Sequence, residues 1–266
     1  MRIGVIAGAG ALPVILAQEI KHTGKQALII SITKDADDRL SSLSYPDFYQ
    51  IGAGQLKKLI NTFVEMDARE IVIIGRVSKG VLFKPMHLDT RAIRMLSRLK
   101  NKSDPSIFGA IAAEMESEGI KILDQRLYLS KLLPEKGVIT KRRLSKDQWR
   151  DIEYGMDLAR KVAGLGIGQT VVVKDQIPLA VEAIEGTDEA IRRGGKLCRG
   201  GAVVTKAARQ DQDFRFDVPT IGPDTIDVLI ESEAEVLAFE SGKTFLLEPE
   251  KTIHKANTAK MSLVVV

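Results

Sequence analysis

A single cysteine, Cys198, stands in 266 residues. It excludes an internal disulfide and suits a reducing compartment. A lone cysteine reads first as a small buried residue and only second as a nucleophile. Histidine is nearly as scarce: His22, His87 and His254 share no close spacing. That argues against a histidine-based zinc site and leaves hard cations, bound through oxygen, as the metal class to consider. Aromatic residues make up only 5% of the chain, too few for the stacking platforms that single-stranded nucleic acid requires. The net charge of +4 comes without a basic block, so no nucleic-acid partner is expected; the mild excess favours acidic small molecules or a lipid surface. No run reaches about 18 consecutive apolar residues, the length of a membrane-spanning helix. The opening "MRIGVIAGAG" lacks the form of a signal peptide.

What is present is the composition of a globular protein, 44% hydrophobic and 28% charged. The length allows one large domain or two ordinary ones. The first half alternates short apolar runs (Arg2 to Ala7, Gln26 to Ile32, Ile71 to Ile74, Ile120 to Leu123) with helical periodicity (Leu12 to His22, Gln55 to Met66, Asp89 to Leu99, Pro105 to Ser117). Such alternation predicts a mostly parallel sheet with helices on both faces. The stretch "KLLPEKGVITKRRLSKD" is polar and basic and is read as a linker region. A long helix, Lys146 to Ala163, follows, and then a strand-rich α/β half with short helices at Asp188 to Arg193 and Pro223 to Glu231. The reading is therefore α/β, with an N-terminal domain over 1–130, a linker region over 131–146 and a second α/β domain over 147–266.

The loops that could carry chemistry lie at strand ends. "VIAGAGALP" puts Gly8 and Gly10 between a strand and a helix, where a backbone can approach a phosphate and the helix N-terminus supplies donors. A tight turn with no ligand explains the same residues. A dinucleotide fingerprint would need a glycine where Pro13 stands and an acid near the end of the second strand, where the chain reads "ISITKD". "IIGRVSKG" places Gly75, Arg76 and Lys79 just past a buried strand, either facing an anionic ligand or solvated. "VEAIEGTDEAIRRGG" forms a strand-to-helix turn in which Thr187 is a plausible N-cap and Asp188 and Glu189 acidify the first turn. Glu182 and Glu185 are less well explained by structure and could bind a metal or a sugar hydroxyl.

"RQDQDFRFDVP", Arg209 to Pro219, collects charge of both signs around apolar residues. Read as a strand, Gln212, Phe214, Phe216 and Val218 share one face, and Asp211, Asp213, Arg215 and Asp217 the other. Two carboxylates flanking a guanidinium suit a divalent metal and a phosphate; a solvated face of alternating charges accounts for the same pattern. Lys206 at the preceding strand end adds a cation, and this mixture is what phosphoryl chemistry uses.

"GAGALP", "VEAIEGTDEAIRRGG" and "TK…QDFRFDVPTIG", in that order, resemble the UDP-2,3-diacylglucosamine pyrophosphatases of the LpxI type. The resemblance implies a Rossmann-like N-terminal domain, a second α/β domain and a substrate cleft between them. It implies hydrolysis of UDP-2,3-diacylglucosamine to UMP and 2,3-diacylglucosamine 1-phosphate in lipid A biosynthesis, with magnesium, at the cytoplasmic face of the inner membrane. Peripheral association is expected there, and a homodimer is left open. Residue by residue, the family's aspartate before x-Pro matches Asp217, its strand-end lysine Lys206, and its Q-D-x-R run Gln212, Asp213 and Arg215. Its E-G-T-D turn matches Glu185 to Asp188. A Lys-Pro-Gly that commonly precedes Q-D is replaced by Arg209, Gln210 and Asp211. The catalytic candidates are then Asp217, Lys206 and Arg215. The substrate contacts are Gly8, Gly10, Leu12, Arg76, Thr187, Asp188 and Gln212, and the metal ligands Asp217, Asp213 and Glu185. The rival readings are a dinucleotide-dependent oxidoreductase and a nucleotide-binding module.

Overall fold

The computed structural model describes residues 2–77, 88–101 and 103–266. They form two compact units: Met1–Leu129 with Phe214–Asp217, and Ser130–Asp213 with Val218–Val266. Lys79 and His87 lie outside the described residues.

The first unit carries β1 (Arg2–Ala7), α1 (Leu12–His22), β2 (Gln26–Ser31), α2 (Lys34–Ser41), β3 (Asp47–Gln50), α3 (Leu56–Glu65), β4 (Glu70–Ile74), α4 (Thr90–Ser97), α5 (Asp104–Glu116) and β5 (Lys121–Ile122). Its five strands are all parallel in the order β3-β2-β1-β4-β5. Strands covered on both faces must be apolar throughout, and residues 3–7 of β1 are buried without interruption. Helix α1 buries Pro13, Leu16, Ala17 and Ile20, the stripe that a period of about 3.6 residues lays on one side. Helix α2 was not evident in the sequence because "KDADDRLS" buries only Ala36 and Leu40. Thr33 caps it, its hydroxyl accepting from the Ala36 N–H at 3.2 Å. The order places the chain's reversal between β1 and β4, whose carboxyl ends are where open α/β sheets collect ligands.

The second unit holds β6 (Gly137–Val138), α6 (Lys146–Gly164), β7 (Thr170–Lys174), β8 (Ile177–Val181), α7 (Thr187–Cys198), β9 (Ala202–Lys206), β10 (Thr220–Ile221), α8 (Pro223–Glu231), β11 (Ala234–Phe239), β12 (Phe245–Leu246), α9 (Pro249–Thr258) and β13 (Ser262–Val265). Six strands pair as β6-β13-β11-β9-β7-β8, and β10 pairs with β12. The central β13, β11 and β9 are parallel, while β6, β7 and β8 run antiparallel to their neighbours. Alternate residues enter opposite cores: Val172, Val204, Leu237 and Leu263 on one face, Val171, Val203, Val236 and Val264 on the other. Residues 131–146 belong to this unit; β6 pairs with β13, and Ser145 and Gln148 form a capping box that starts α6.

Two close approaches explain local sequence. The glycine pair of "RRGG" lies in α7, where a Cβ on Gly194 would sit 2.6 Å from Val172 Cγ1 and one on Gly195 2.5 Å from the Ser232 carbonyl oxygen. Between β7 and β8, Asp175 and Gln176 both adopt positive φ, at 51° and 58°, which strains residues other than glycine. The Asp151 carboxylate of α6, only 4% exposed, stabilises that turn by accepting from the Asp175 N–H at 3.0 Å and the Gln176 N–H at 2.6 Å.

The strand expected over Arg209 to Pro219 does not form; residues 207–219 are turns and irregular backbone. Gln212, Phe216 and Val218 are buried as the alternation required, but Phe214 is only half-buried and no neighbouring strand pairs with them.

Candidate functional site

In the first unit the two glycine loops meet. Gly8 donates to the Ile74 carbonyl at 2.8 Å, Ala9 donates to the Arg76 carbonyl at 2.8 Å, and Arg76 returns a bond to Ala9 at 2.9 Å. A Cβ on Gly8 would lie 2.7 Å from the Arg76 carbonyl oxygen, and one on Gly75 2.7 Å from Gly8 itself. Loop-to-loop packing therefore accounts for Gly8 and Gly75. Gly10, at φ 109°, has open space around it. Its N–H donates to Asp35 Oδ2 at 2.8 Å, and Arg39 pairs with the same carboxylate at 3.1 Å. The Gly10 hydrogen bond, then Arg39 and more weakly Arg76, hold the Asp35 carboxyl below its ordinary value. The turn before α1 thus binds an anion that the chain itself supplies. Leu12 follows, half-buried, at the start of α1, and Arg76 is exposed.

The short segment Phe214–Asp217 belongs to the same unit. Phe216 stacks on Phe108 of α5 with ring centroids 4.8 Å apart and planes 8° from parallel. Gln125, buried, donates from its backbone to the Phe214 carbonyl at 3.1 Å and from its side chain to the Ile73 carbonyl at 2.9 Å. It ties the segment to the carboxyl end of β4. The Arg126 guanidinium lies 3.7 Å from the Phe214 ring centroid and is paired with Asp124 at 2.6 Å. Arg215 pairs with Glu116 at 3.3 Å and lies over Phe216 at 5.4 Å. Asp217 ends the segment and is exposed.

In the second unit Lys206 closes β9, half-buried, and its Nζ donates to Thr187 Oγ1 at 2.9 Å. Thr187 donates in turn to Glu182 Oε1 at 3.0 Å. Thr187 is not the N-cap of α7, as the sequence suggested; Gly186 holds that place at φ 86° and Thr187 is the first helical residue. Its hydroxyl is thereby released from capping and turned to Glu182 and Lys206. Glu185 accepts from Arg193 at 2.6 Å. Its own backbone N–H, then Arg193, hold its carboxyl below the ordinary range. Asp188 is exposed in the first turn of α7. Gln212 is buried and accepts from Arg209 Nε at 3.2 Å; Asp213 beside it is half-buried.

One residue escaped sequence reasoning. Glu240, 5% exposed, follows β11 and accepts from the Ala208 N–H and from Arg160 Nε, each at 2.9 Å. It fixes the backbone two residues after Lys206. Its sequence neighbours "AFESGK" offered no signal, because the partners are remote in the chain.

Among the described residues no three histidine, cysteine, aspartate or glutamate side chains gather as a metal-ligand set. Two surface grooves lie away from the candidates. One of about 660 Å³ is lined by Lys141, Arg142, Glu235, Asn257 and Lys260 among others. One of about 810 Å³ is lined by Lys21, His22, Lys25 and Tyr45 among others. No candidate residue lines either.

Comparison with known proteins covers nearly the whole chain. Residues 2–132 match the LpxI N-terminal domain and residues 135–264 the LpxI C-terminal domain. The chain is 30% identical over 267 aligned residues to the UDP-2,3-diacylglucosamine pyrophosphatase LpxI of Caulobacter vibrioides, covering 96% of this chain and 94% of that protein. A crystal structure of N5-carboxyaminoimidazole synthetase from Staphylococcus aureus aligns with 65% of this chain and 38% of its own, at 15% identity and a TM-score of 0.23, too slight a likeness to bear on fold or activity. With both family domains matched in order and an end-to-end relative, the chain belongs to the LpxI family.

Proposed function

We propose that this chain hydrolyses the pyrophosphate bond of UDP-2,3-diacylglucosamine, releasing UMP and 2,3-diacylglucosamine 1-phosphate, a step of lipid A biosynthesis. The observation that carries the reading is the full-length likeness to the Caulobacter vibrioides enzyme of that name, at 30% identity over 96% of this chain. Water's oxygen bonds to one phosphorus as the bridging P–O bond breaks. The leaving phosphate takes the bond's electron pair, and the proton passes from the water to a carboxylate or to solvent.

Each residue's role follows from its chemistry. Asp217, exposed at the end of an anchored segment, orients the attacking water. Lys206 and Arg215 stabilise negative charge growing on the phosphate oxygens, an effect that typically contributes about 3–4 kcal/mol per well-placed donor. Gly8, Gly10, Leu12, Arg76, Thr187, Asp188 and Gln212 are the proposed substrate contacts. For the Gly10 N–H to meet a ligand, that ligand must displace Asp35. Magnesium belongs to the same proposal. It takes hard oxygen ligands, one or two carboxylates completed by substrate phosphates and water, the ligand type that Asp217 and Asp213 each offer as its proposed ligands. Glu185 suits it less, being engaged by Arg193. When bound, the ion would neutralise the diphosphate oxygens. Peripheral association with the cytoplasmic face of the inner membrane completes the reading. Among the described residues no helix is long and apolar enough to cross a membrane.

The test is incubation with UDP-2,3-diacylglucosamine and magnesium, with products separated by mass. UMP and the acylated sugar 1-phosphate are expected. Unconsumed substrate at high enzyme concentration would overturn the assignment.

A further inference from the structure

A hydroxyl has one proton to give and two lone pairs to receive with. At Thr187 all three are used. The hydroxyl donates to Glu182 Oε1 at 3.0 Å, receives from Lys206 Nζ at 2.9 Å, and lies 3.4 Å from Thr170 Oγ1. The last contact is ambiguous by geometry alone, since either oxygen could donate. The carboxylate resolves it. Ionised Glu182 can only accept, so Thr187 spends its proton there and must accept from both Lys206 and Thr170. The other carboxylate oxygen, Oε2, accepts from the Gln169 N–H at 3.2 Å. Glu182 therefore fixes where the Thr187 proton goes, and with it the direction of the Thr170 contact, while Thr187 in turn accepts from the Lys206 ammonium at the carboxyl end of β9.

We propose that Glu182 is a positioning residue for Lys206, acting through Thr187; as a statement about catalysis this rests on the pyrophosphatase reading above. This is a different use from the metal or sugar-hydroxyl contact that its place at a strand end suggested. Both of its oxygens are already matched to donors of the chain. An amide in its place cannot serve both. Its single oxygen satisfies either the Gln169 N–H or the Thr187 hydroxyl, and its NH2 then faces the other donor.

The test is a cycle of Glu182→Gln, Thr187→Val and the double variant, read in two ways. The first reading is turnover of UDP-2,3-diacylglucosamine. Glu182→Gln is expected to lower kcat at least about tenfold with KM within about threefold, because misplacing a charged group by a fraction of an ångström weakens the transition state more than the ground state, and Thr187→Val, at a proposed substrate contact, to lower kcat by a comparable factor. The double variant should be no slower than the slower single, since both cut one row. The second reading needs no substrate. Acetic anhydride labelling of Lys206, measured by mass spectrometry against exposed Lys58, should rise at least about threefold in both singles, because an ammonium held by an acceptor yields its proton and its lone pair less readily. Full kcat, additive losses or unchanged labelling would overturn the proposal. A parent enzyme inert toward the substrate would defeat the functional reading instead, and the labelling would still judge the row. Should Glu182→Gln fail to fold, Glu182→Asp keeps the charge but withdraws it by one methylene and is read in the same way.

Discussion

Phe216 stacks on Phe108 at 4.8 Å, joining an irregular segment far along the chain to helix α5 of the first unit. This pairing fixes the backbone on which Arg215 and Asp217 stand. Phe216→Ala should remove about 3–5 kcal/mol of stability, the usual cost of deleting a buried phenylalanine. Turnover should also fall, because the anchor of Asp217 is lost. Phe108→Ala should act in the same direction. The double variant should reveal a coupling of about 0.5–1.5 kcal/mol, the range for stacked rings. Denaturant unfolding of the three variants measures it, and strict additivity would refute the anchoring role.

Asp217→Asn should leave melting nearly unchanged and slow turnover at least about a hundredfold, the scale of one lost transition-state contact. The amide matches the carboxylate in shape but not in charge. Asp211→Asn is the control: Asp211 is exposed and lies outside the matched motif, so its turnover should stay within about threefold of the parent. Equal loss at both positions would move the chemistry elsewhere.

Treatment with a chelator should abolish hydrolysis, and magnesium should restore it. The candidate donors Asp213 and Asp217 are carboxylates, which favour hard cations. Full activity in excess chelator would remove the metal from the mechanism.

Asp35 gives a pH dependence with a defined sign. Its folded-state carboxyl is held below the ordinary value of 3.8. Its contribution to stability is therefore complete above that value and is lost as pH falls through the lower, folded one. The gap in melting temperature between the parent and Asp35→Asn should be constant near neutrality and close on acidification below about pH 4. A gap that widens toward acid would contradict the Gly10 and Arg39 pairings.

Asp151→Asn should cost about 1–3 kcal/mol, the penalty for leaving a buried donor unmatched. The Asp175 and Gln176 N–H groups use different oxygens of the carboxylate, and the amide retains only one. The denaturant midpoint reads this directly, with turnover affected far less than stability.

The sequence determined most of the regular structure, because periodicity is local. The pattern of α1 and the apolar run of β1 predict Leu12–His22 and Arg2–Ala7, the bounds the structure shows. The long helix is read as Lys146 to Ala163 and found as Lys146–Gly164, with Asp147 in its first turn. Elements with little buried surface were not legible. Helix α9 buries only Thr252 and Ala256, and β3 is a half-exposed edge strand. The residues marked for chemistry were also chosen from sequence, by charge type and family motif.

The surroundings of those residues were decided only in three dimensions. Alternating polarity from Gln212 to Val218 is the same in a strand and in a turn whose aromatic residues find partners. The sequence pattern favoured a strand, and Phe108, Gln125 and Arg126 made it a turn. Gly8 read as a glycine that lets the backbone approach a phosphate, and the structure adds a packing reason for it: the opposing loop at Gly75 leaves no room for a side chain. Thr187 read as a cap until Gly186 took that place and turned the hydroxyl toward Glu182 and Lys206. A local pattern records what a residue prefers toward water or core. Which hydrogen-bond partner it meets depends on loops closed over tens of residues, and only the packed fold brings those partners together.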